Sequence, residues 1–347
     1  MEMIAISKKP LYPSYSKIES EAEKQIYWDS LLKDWNLPKH IKHFPGSHPI
    51  SIEEKDLDFI RDNKEDYLAS LKSDGVRYIM YMTFRPGLED SPITLLIDRA
   101  QNMYEIEVWA NMEYYYGTIL DGELVWKLPD ETQSTYLVFD VIKLKGVMKS
   151  NISYKERLEC INSIIFDDNI RDGDVERIEL LIEECDKIVS MNNLNNLIIK
   201  SKNFAPIIYL EKIWNDRKTS LYRNDGLILT KNNNTYKHGS DRSTFKWKPT
   251  CSIDVIINSG NVLCNSNSSS ELVKITKILD RPIFLEKNKL DYNKNQIVEC
   301  DIKINNKKIS LFPMRTRIDK STPNTLKTIE SSVKGVLQNI PFERLKF

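Results

Sequence analysis

No sign of charge dominates this sequence. Its 347 residues hold 50 lysines and arginines against 50 aspartates and glutamates, so no whole-molecule field draws it to nucleic acid or to an anionic membrane. Any contact with a polyanion has to be local. Cysteine is sparse: Cys160, Cys185, Cys251, Cys264 and Cys300 stand far apart with no CxxC pair. That argues against a disulfide framework or a zinc ribbon and makes a reducing compartment the expectation. No apolar run approaches the roughly 18 residues of a membrane span, and the start MEMIAISKKPLYPSYSK lacks the apolar core of a signal peptide. An intracellular protein with no membrane partner is expected. No internal repeat is visible, and the clusters NNLNN, KNNN and NSNSSS are short enough to be loops.

What is present is an ordinary apolar content, 41%, in a chain long enough for two domains. Residues 50–70 place Ile52, Leu57, Phe59, Ile60, Tyr67 and Leu68 at mostly helical spacing, with Ser51 and Glu54 as a capping box, so one or two helices are expected there. Short runs rich in β-branched and aromatic residues follow at 76–84, 93–98, 103–109, 118–126 and 135–144, punctuated by PG, ED, DG and PDET. That spacing predicts antiparallel sheet. Helical periodicity returns at 154–166, 174–190 and 206–219, and 226–231 and 244–248 read as strands. From 252 onward five brief strands (SIDVIIN, VKITKIL, PIFLE, QIVECDIKI, KISLF) suit a small barrel of OB type. A terminal helix then carries Leu326, Ile329, Val333, Val336 and Leu337 on one face. The N-terminal stretch SKIESEAEKQIYWDSLLKDWNL is amphipathic, and packing against the fold is its expected use.

The tetrapeptide KSDG puts Lys72 at the mouth of a strand whose composition reads as core, where an unpaired ammonium is costly to desolvate. Alone it reads as a turn before a strand. Its company is more specific: IDR (Ile97 to Arg99), DGEL (Asp121 to Leu124), YLVFDV (Tyr136 to Val141), DGLIL (Asp225 to Leu229), FKWKP (Phe245 to Pro249) and RIDKSTPN (Arg317 to Asn324). In that order they resemble the motif series of the covalent nucleotidyltransferases, the superfamily of mRNA capping enzymes and nucleotide-dependent ligases. The fit is best to the small stand-alone viral type of GTP:RNA guanylyltransferase, over roughly residues 44–325, with FPGSHPISIEEKD as its lead-in.

The resemblance implies an α+β architecture. A nucleotidyltransferase domain of antiparallel sheets flanked by helices would span 1–249, an OB-fold lid 250–320, and a C-terminal helix packing back on the first domain 321–347, with a hinge near Pro249 and Thr250. It also implies attack by Lys72 on the α-phosphorus of GTP, a Lys–GMP intermediate, and transfer of GMP to a 5′-diphosphate RNA end, the start of a 5′ cap. The chemistry of the residues agrees. A free lysine is uncharged near neutral pH in roughly one molecule per thousand, so neighbouring cations and burial would have to activate it. Lys246 and Lys248, two apart on one strand face, are candidates for that and for holding the α-phosphate. Glu123 and Asp225 are catalytic candidates and ligands for Mg²⁺ or Mn²⁺. By resemblance, Arg99 touches the ribose, Arg77 the phosphates or the metal-site carboxylates, Arg317, Asp319 and Lys320 orient pyrophosphate, and Asp254 stands near the catalytic lysines.

Each residue also has a plainer reading. Lys72 would snorkel; Glu123 and Asp225 would be hairpin acids; Lys246 and Lys248 would line an edge strand; the arginines and the 317–320 cluster would be surface ion pairs. Trp247 points opposite to the lysines flanking it and reads as core; the guanine-stacking residue is left open, Phe139 or a side chain from 200–222. His40, His43 and His48 match no zinc spacing and read as loop histidines. Rival functions are an ATP-dependent DNA or RNA ligase, disfavoured by IDR, by the proline closing FKWKP and by the PN of RIDKSTPN, and a non-catalytic OB relative that only binds RNA. Separate RNA triphosphatase and cap methyltransferase chains are expected partners, with RNA polymerase a further one. The setting implied is nuclear if the chain is cellular, or the host nucleus or a cytoplasmic factory if viral.

Overall fold

The computed structural model describes residues 16–129, 131, 133–167, 187–190, 197–267, 271–286, 295–305, 307–317, 320–338 and 340–347. These form two compact units, one from residues 16–50 with Asn63–Lys246, the other from Ser51–Asp62 with Trp247–Phe347. The architecture is mixed α+β with mainly antiparallel sheets.

The larger unit is built on a sheet whose central strands are Leu88–Asp98, Val76–Arg85, Thr118–Trp126 and Ser134–Leu144. Val76–Arg85 is apolar nearly throughout because both faces of this sheet are covered. Tyr78, Met80 and Met82 join a core with Leu120, Val138 and Ile161, whereas Ile79 and Tyr81 join another with Leu95, Ile119 and Ile142. Helix Glu21–Asp34 covers the second face, burying Tyr27, Trp28, Leu31 and Leu32, with the Ser20 hydroxyl capping its start through Glu23 N. The amphipathic N-terminal stretch is thus packed.

A second sheet carries the site, in the order Ala205–Pro206, Tyr67–Ser73, Asn224–Lys231, Gly239–Trp247, Ser47–Ser51. Here the helix expected to lead into Lys72 stops short. Glu54–Asp62 is helical and Lys64–Asp66 a single 3₁₀ turn, but Tyr67 and Leu68 already lie in a strand, paired with Lys231 and Thr230. Lys72 therefore sits within its own strand. The entry to the Glu54–Asp62 helix is closed by Glu53 N donating to Asp56 Oδ2 at 2.8 Å, where a Ser51–Glu54 box was expected. Likewise the helix expected over 154–166 ends at Ser163, and Ile165–Asp167 pairs with Lys187–Ser190, a strand where helix was expected. The rest of that stretch, 174–186, lies outside the described residues.

In the smaller unit a seven-stranded sheet runs Leu272–Ile275, Asn261–Asn265, Ser252–Asn258, Ile297–Asn305, Lys308–Thr316, Arg281–Leu285, Lys277–Ile278. The first and last strands of that order are separated in the chain by Thr276 alone, so the sheet curls until its ends nearly meet. Strand Asn261–Asn265 was not foreseen, its asparagines having the texture of a loop. The Leu326–Gln338 helix buries Ile329 and Val333 with Val255, Val298 and Leu311 of the barrel. Trp247 is core as expected: it is buried, and its Nε1 donates to Ile340 O at 2.9 Å.

Candidate active site

Lys72 and Asp225 meet because of an irregularity in strand pairing. Strand Asn224–Lys231 runs antiparallel to Tyr67–Ser73 with Asn224 opposite Ser73 and Gly226 opposite Lys72, which leaves Asp225 as the extra residue of a bulge. A bulge re-aims its side chain, and Lys72 Nζ donates to Asp225 Oδ1 at 2.7 Å. The amine thus stands directly against a carboxylate, and the cations Arg77, Arg99 and Lys202 line the same cavity. The two side chains keep 22% and 29% of their exposure, so they are reachable from solvent.

The next wall comes from strands Val76–Arg85 and Thr118–Trp126. Arg77 pairs with Glu123, and Asp121 lies two residues from Glu123 on the same face. Arg77 donates Nε to Asp121 Oδ1 at 2.8 Å and Nη2 to Asp121 Oδ2, a two-pronged bond to a fully buried carboxylate. The Tyr236 hydroxyl donates to the same Asp121 at 2.6 Å and accepts from Ser47 N at 3.0 Å. Burial would drive the Arg77 proton off, but Asp121 outweighs it and holds the guanidinium more firmly charged than usual. Across the sheet Asp140 stands directly opposite Asp121 and takes Arg157 Nε at 2.6 Å and Nη2 at 3.1 Å. Burial pushes the Asp140 carboxyl up, Arg157 pulls it back, and Asp121 raises it further. Glu123 Oε1 accepts from Gly75 N at 3.2 Å, which ties the DGEL strand to the KSDG turn. A side chain at Gly75 would lie 2.2 Å from Leu124 O, so that glycine is required by close approach.

Lys72, Arg77, Arg99, Glu123 and Phe139 line one cavity, together with Lys202, which no motif marked. Lys202 Nζ is 4.0 Å from Glu123 and 5.8 Å from the Phe139 ring centroid. Burial lowers its pKa and Lys72 adds to that, while Glu123 and Asp225 oppose it. Lys202 lies just past the strand Leu197–Ser201, where no pattern in the sequence singled it out. Phe139 also lies under Arg77, 5.4 Å from the guanidinium carbon, with Phe44 at 5.3 Å on another side. Strand alternation puts Lys246 on the same face as Thr244, which lines this cavity. The strand ends at Trp247, so Lys248 lies beyond it and the two lysines do not share one regular strand. His48 is half-buried; burial and the nearby Arg77, Arg99 and Lys246 depress its pKa to about 3, making it a neutral member of a cationic wall.

On the barrel, Asp254 accepts from Arg317 Nη1 at 3.2 Å and from Lys320 Nζ, while its backbone N–H donates to Asn324 Oδ1 at 2.8 Å. The RIDKSTPN residues thus clasp the SIDVII strand. Beside them Glu299 takes Arg315 Nε at 2.6 Å and Ser252 Oγ at 2.6 Å. Burial would raise the Glu299 carboxyl, yet Arg315 and Arg317 hold it at about 2. Asp319 lies outside the described residues.

Chemically the cavity offers an amine 2.7 Å from a carboxylate, a second carboxylate, several cations and an aromatic face. That set suits a nucleophile working on a phosphate ester of a planar base. No group of three or more metal-ligating side chains exists among the described residues. Two carboxylates, Asp225 and Glu123, do fit a hard divalent ion that takes its remaining oxygens from water and a substrate's phosphates.

Comparison with known proteins follows the same line. The model for the mRNA capping enzyme catalytic domain matches residues 17–250. The chain is 31% identical over 217 residues to the mRNA-capping enzyme subunit alpha of Schizosaccharomyces pombe, covering 59% of this chain and 50% of the yeast protein. It is 25% identical over 346 residues to the mRNA-capping enzyme of Danio rerio (93% and 50% covered) and 25% over 313 residues to that of Mus musculus (87% and 49%). It spans about half the length of these curated relatives. With two thirds of its residues under that match, from the Ser16–Lys17 strand to the end of FKWKP, the chain belongs to the mRNA capping enzyme catalytic-domain family.

Proposed function

We propose that this chain is a GTP:RNA guanylyltransferase that moves GMP from GTP onto a 5′-diphosphate RNA end through a covalent Lys72–GMP intermediate. The observation that carries the reading is Lys72 Nζ at 2.7 Å from the bulge residue Asp225, inside a cavity lined with cations and the half-buried Phe139 ring. In the first step Nζ bonds to the α-phosphorus and the bond to pyrophosphate breaks. Asp225 Oδ1 is the atom within hydrogen-bond reach to take the amine's proton. In the second step a β-phosphate oxygen of the RNA bonds to the same phosphorus, the N–P bond breaks, and the amine recovers its proton. Splitting the transfer lets one pocket serve both substrates in turn.

Phe139 and Lys202 supply the base platform and its polar contact, Arg99 the ribose contact, and Lys246 with Lys248 the α-phosphate contacts. Arg77 is committed to Asp121 and acts by holding the carboxylate strand and the Phe139 ring in place. A divalent ion carried between Asp225, Glu123 and the phosphates would neutralise phosphate charge. Arg317, Asp319 and Lys320 orient pyrophosphate, which requires the two cations to exchange Asp254 for phosphate oxygens. The diphosphate acceptor requires earlier removal of the RNA γ-phosphate, and a finished cap requires later methylation.

Incubation with [α-³²P]GTP and a divalent ion, followed by acid and alkali treatment, tests the reading. The expected product is an acid-labile, alkali-stable label on the chain, lost in Lys72→Ala and in Lys72→Arg, whose guanidinium stays protonated. Labelling from ATP but not GTP would point to the ligase chemistry instead.

A further inference from the structure

Between Asp34 and Glu53 the sequence has no acidic residue, yet it holds Lys39, His40, Lys42, His43 and His48. The structure gives this stretch a shape. Ile41 and Phe44 turn inward, against the core beneath helix Glu21–Asp34, while Lys39, His40, Lys42 and His43 are exposed. The loop is pinned at three points. Trp28 Nε1 donates to Ile41 O at 3.0 Å, Gln101 Nε2 donates to Lys42 O at 2.8 Å, and the His238 ring Nδ1 lies 2.9 Å from Pro45 O. None of the four exposed side chains takes part in an ion pair among the described residues.

The loop also has a direction. Its downstream end enters the cavity wall through Ser47 and Pro49. Its Lys42 anchor is Gln101, two residues past Arg99, which lines the same cavity and is presented by a turn closed by Asp98 on Asn102. Exposed positive charge therefore continues from the solvent-facing loop to Arg99 with no carboxylate in its own stretch to interrupt it.

We infer that loop 38–43 is the landing site for the phosphate backbone of the acceptor RNA, with Lys39 and Lys42 as its charge contacts. The inference rests on the guanylyltransferase reading and names a substrate-binding element for it. A loop tethered at three backbone points loses little freedom on binding, and two lysines facing solvent beside a cationic cavity are placed for sequence-independent contact with successive phosphates. A strand without base readout suits an enzyme that must accept many transcripts. The chain's balanced net charge makes such a patch the place where RNA affinity concentrates.

The test is direct binding, which does not depend on transfer. Fluorescence anisotropy with a labelled 5′-diphosphate RNA oligonucleotide is read for the full chain and for Lys39→Glu/Lys42→Glu across a salt series. The expected result is a Kd raised about tenfold and a salt slope reduced by about 1.4, the loss of two single-strand phosphate contacts at about 0.7 each. Formation of the Lys72–GMP adduct stays at the unsubstituted level. The same charge change at Lys212 and Lys218, exposed on helix Leu210–Asp216 and on the 3₁₀ turn that follows it, is expected to have a much smaller effect. Unchanged affinity and slope in the loop variant, or an equal loss in the Lys212/Lys218 variant, overturns the inference. Absence of any adduct from the unsubstituted chain overturns the guanylyltransferase reading alone, since anisotropy still reports on the loop.

Discussion

Replacing Asp121 by asparagine removes one charge from the middle of a buried network and leaves its shape. The carboxylate is fully buried and takes three donors, two from Arg77 and one from Tyr236. Asparagine keeps one oxygen and presents an amide where an Arg77 N–H already points, so a guanidinium with 8% of its exposure left loses both its counter-charge and a partner. Stranding one member of a buried ion pair costs about 3–5 kcal/mol. At about 2–4 °C per kcal/mol for a unit of this size, the melting temperature is expected to fall by roughly 10 °C. The double variant Arg77→Met/Asp121→Leu removes both charges and is expected to lose clearly less than the sum of the single changes, since a packed apolar pair replaces a buried ionic one without a stranded charge. Calorimetry and urea titration on the three variants measure this. A loss below about 1 kcal/mol in Asp121→Asn, or full additivity in the cycle, would refute the view that the network's cohesion is electrostatic.

Two further outcomes follow from the same geometry. Glu299 is held at about 2, below its ordinary 4.5, so the folded form binds fewer protons than the unfolded chain between those values. Its stabilisation is complete above about pH 4.5, amounts to about 3 kcal/mol, and disappears as pH falls through 2; Glu299→Gln should flatten that part of the acid unfolding curve. Lys202→Met removes an amine that burial already disfavours in its charged form; stability should hold or rise while the KM for GTP in adduct formation rises about tenfold, the cost of one lost polar contact. An unchanged KM would take Lys202 out of the nucleotide site.

Most of the fold was legible because its strands are short runs of β-branched and aromatic residues bounded by turn signals. Thr118–Trp126 matches the expected strand residue for residue, and Val76–Arg85 and Ser134–Leu144 match within one. The misreadings share a cause. Tyr67 and Leu68 continued a helical spacing that pairing with Lys231 and Thr230 overrode, and Asn261–Asn265 looked like a loop until neighbouring strands took its backbone bonds. At the site, Lys72, Glu123 and Asp225 were visible as motif members, but the bulge that aims Asp225 was not, since a pairing register is not written in either strand alone. Lys202 stayed hidden for a similar reason. Its character comes from burial beside Glu123 and Lys72, and a lysine just past a short strand gives no sign of the neighbours it will meet.

The single residue that parts the Leu272–Ile275 and Lys277–Ile278 strands has a consequence beyond shape. Because the two margins of that ribbon are one continuous piece of chain, neither can drift from the other to offer its backbone to a second molecule. A β-rich unit of this kind therefore carries its own guard against edge-to-edge aggregation, and an insertion after Thr276 is the change most apt to remove it.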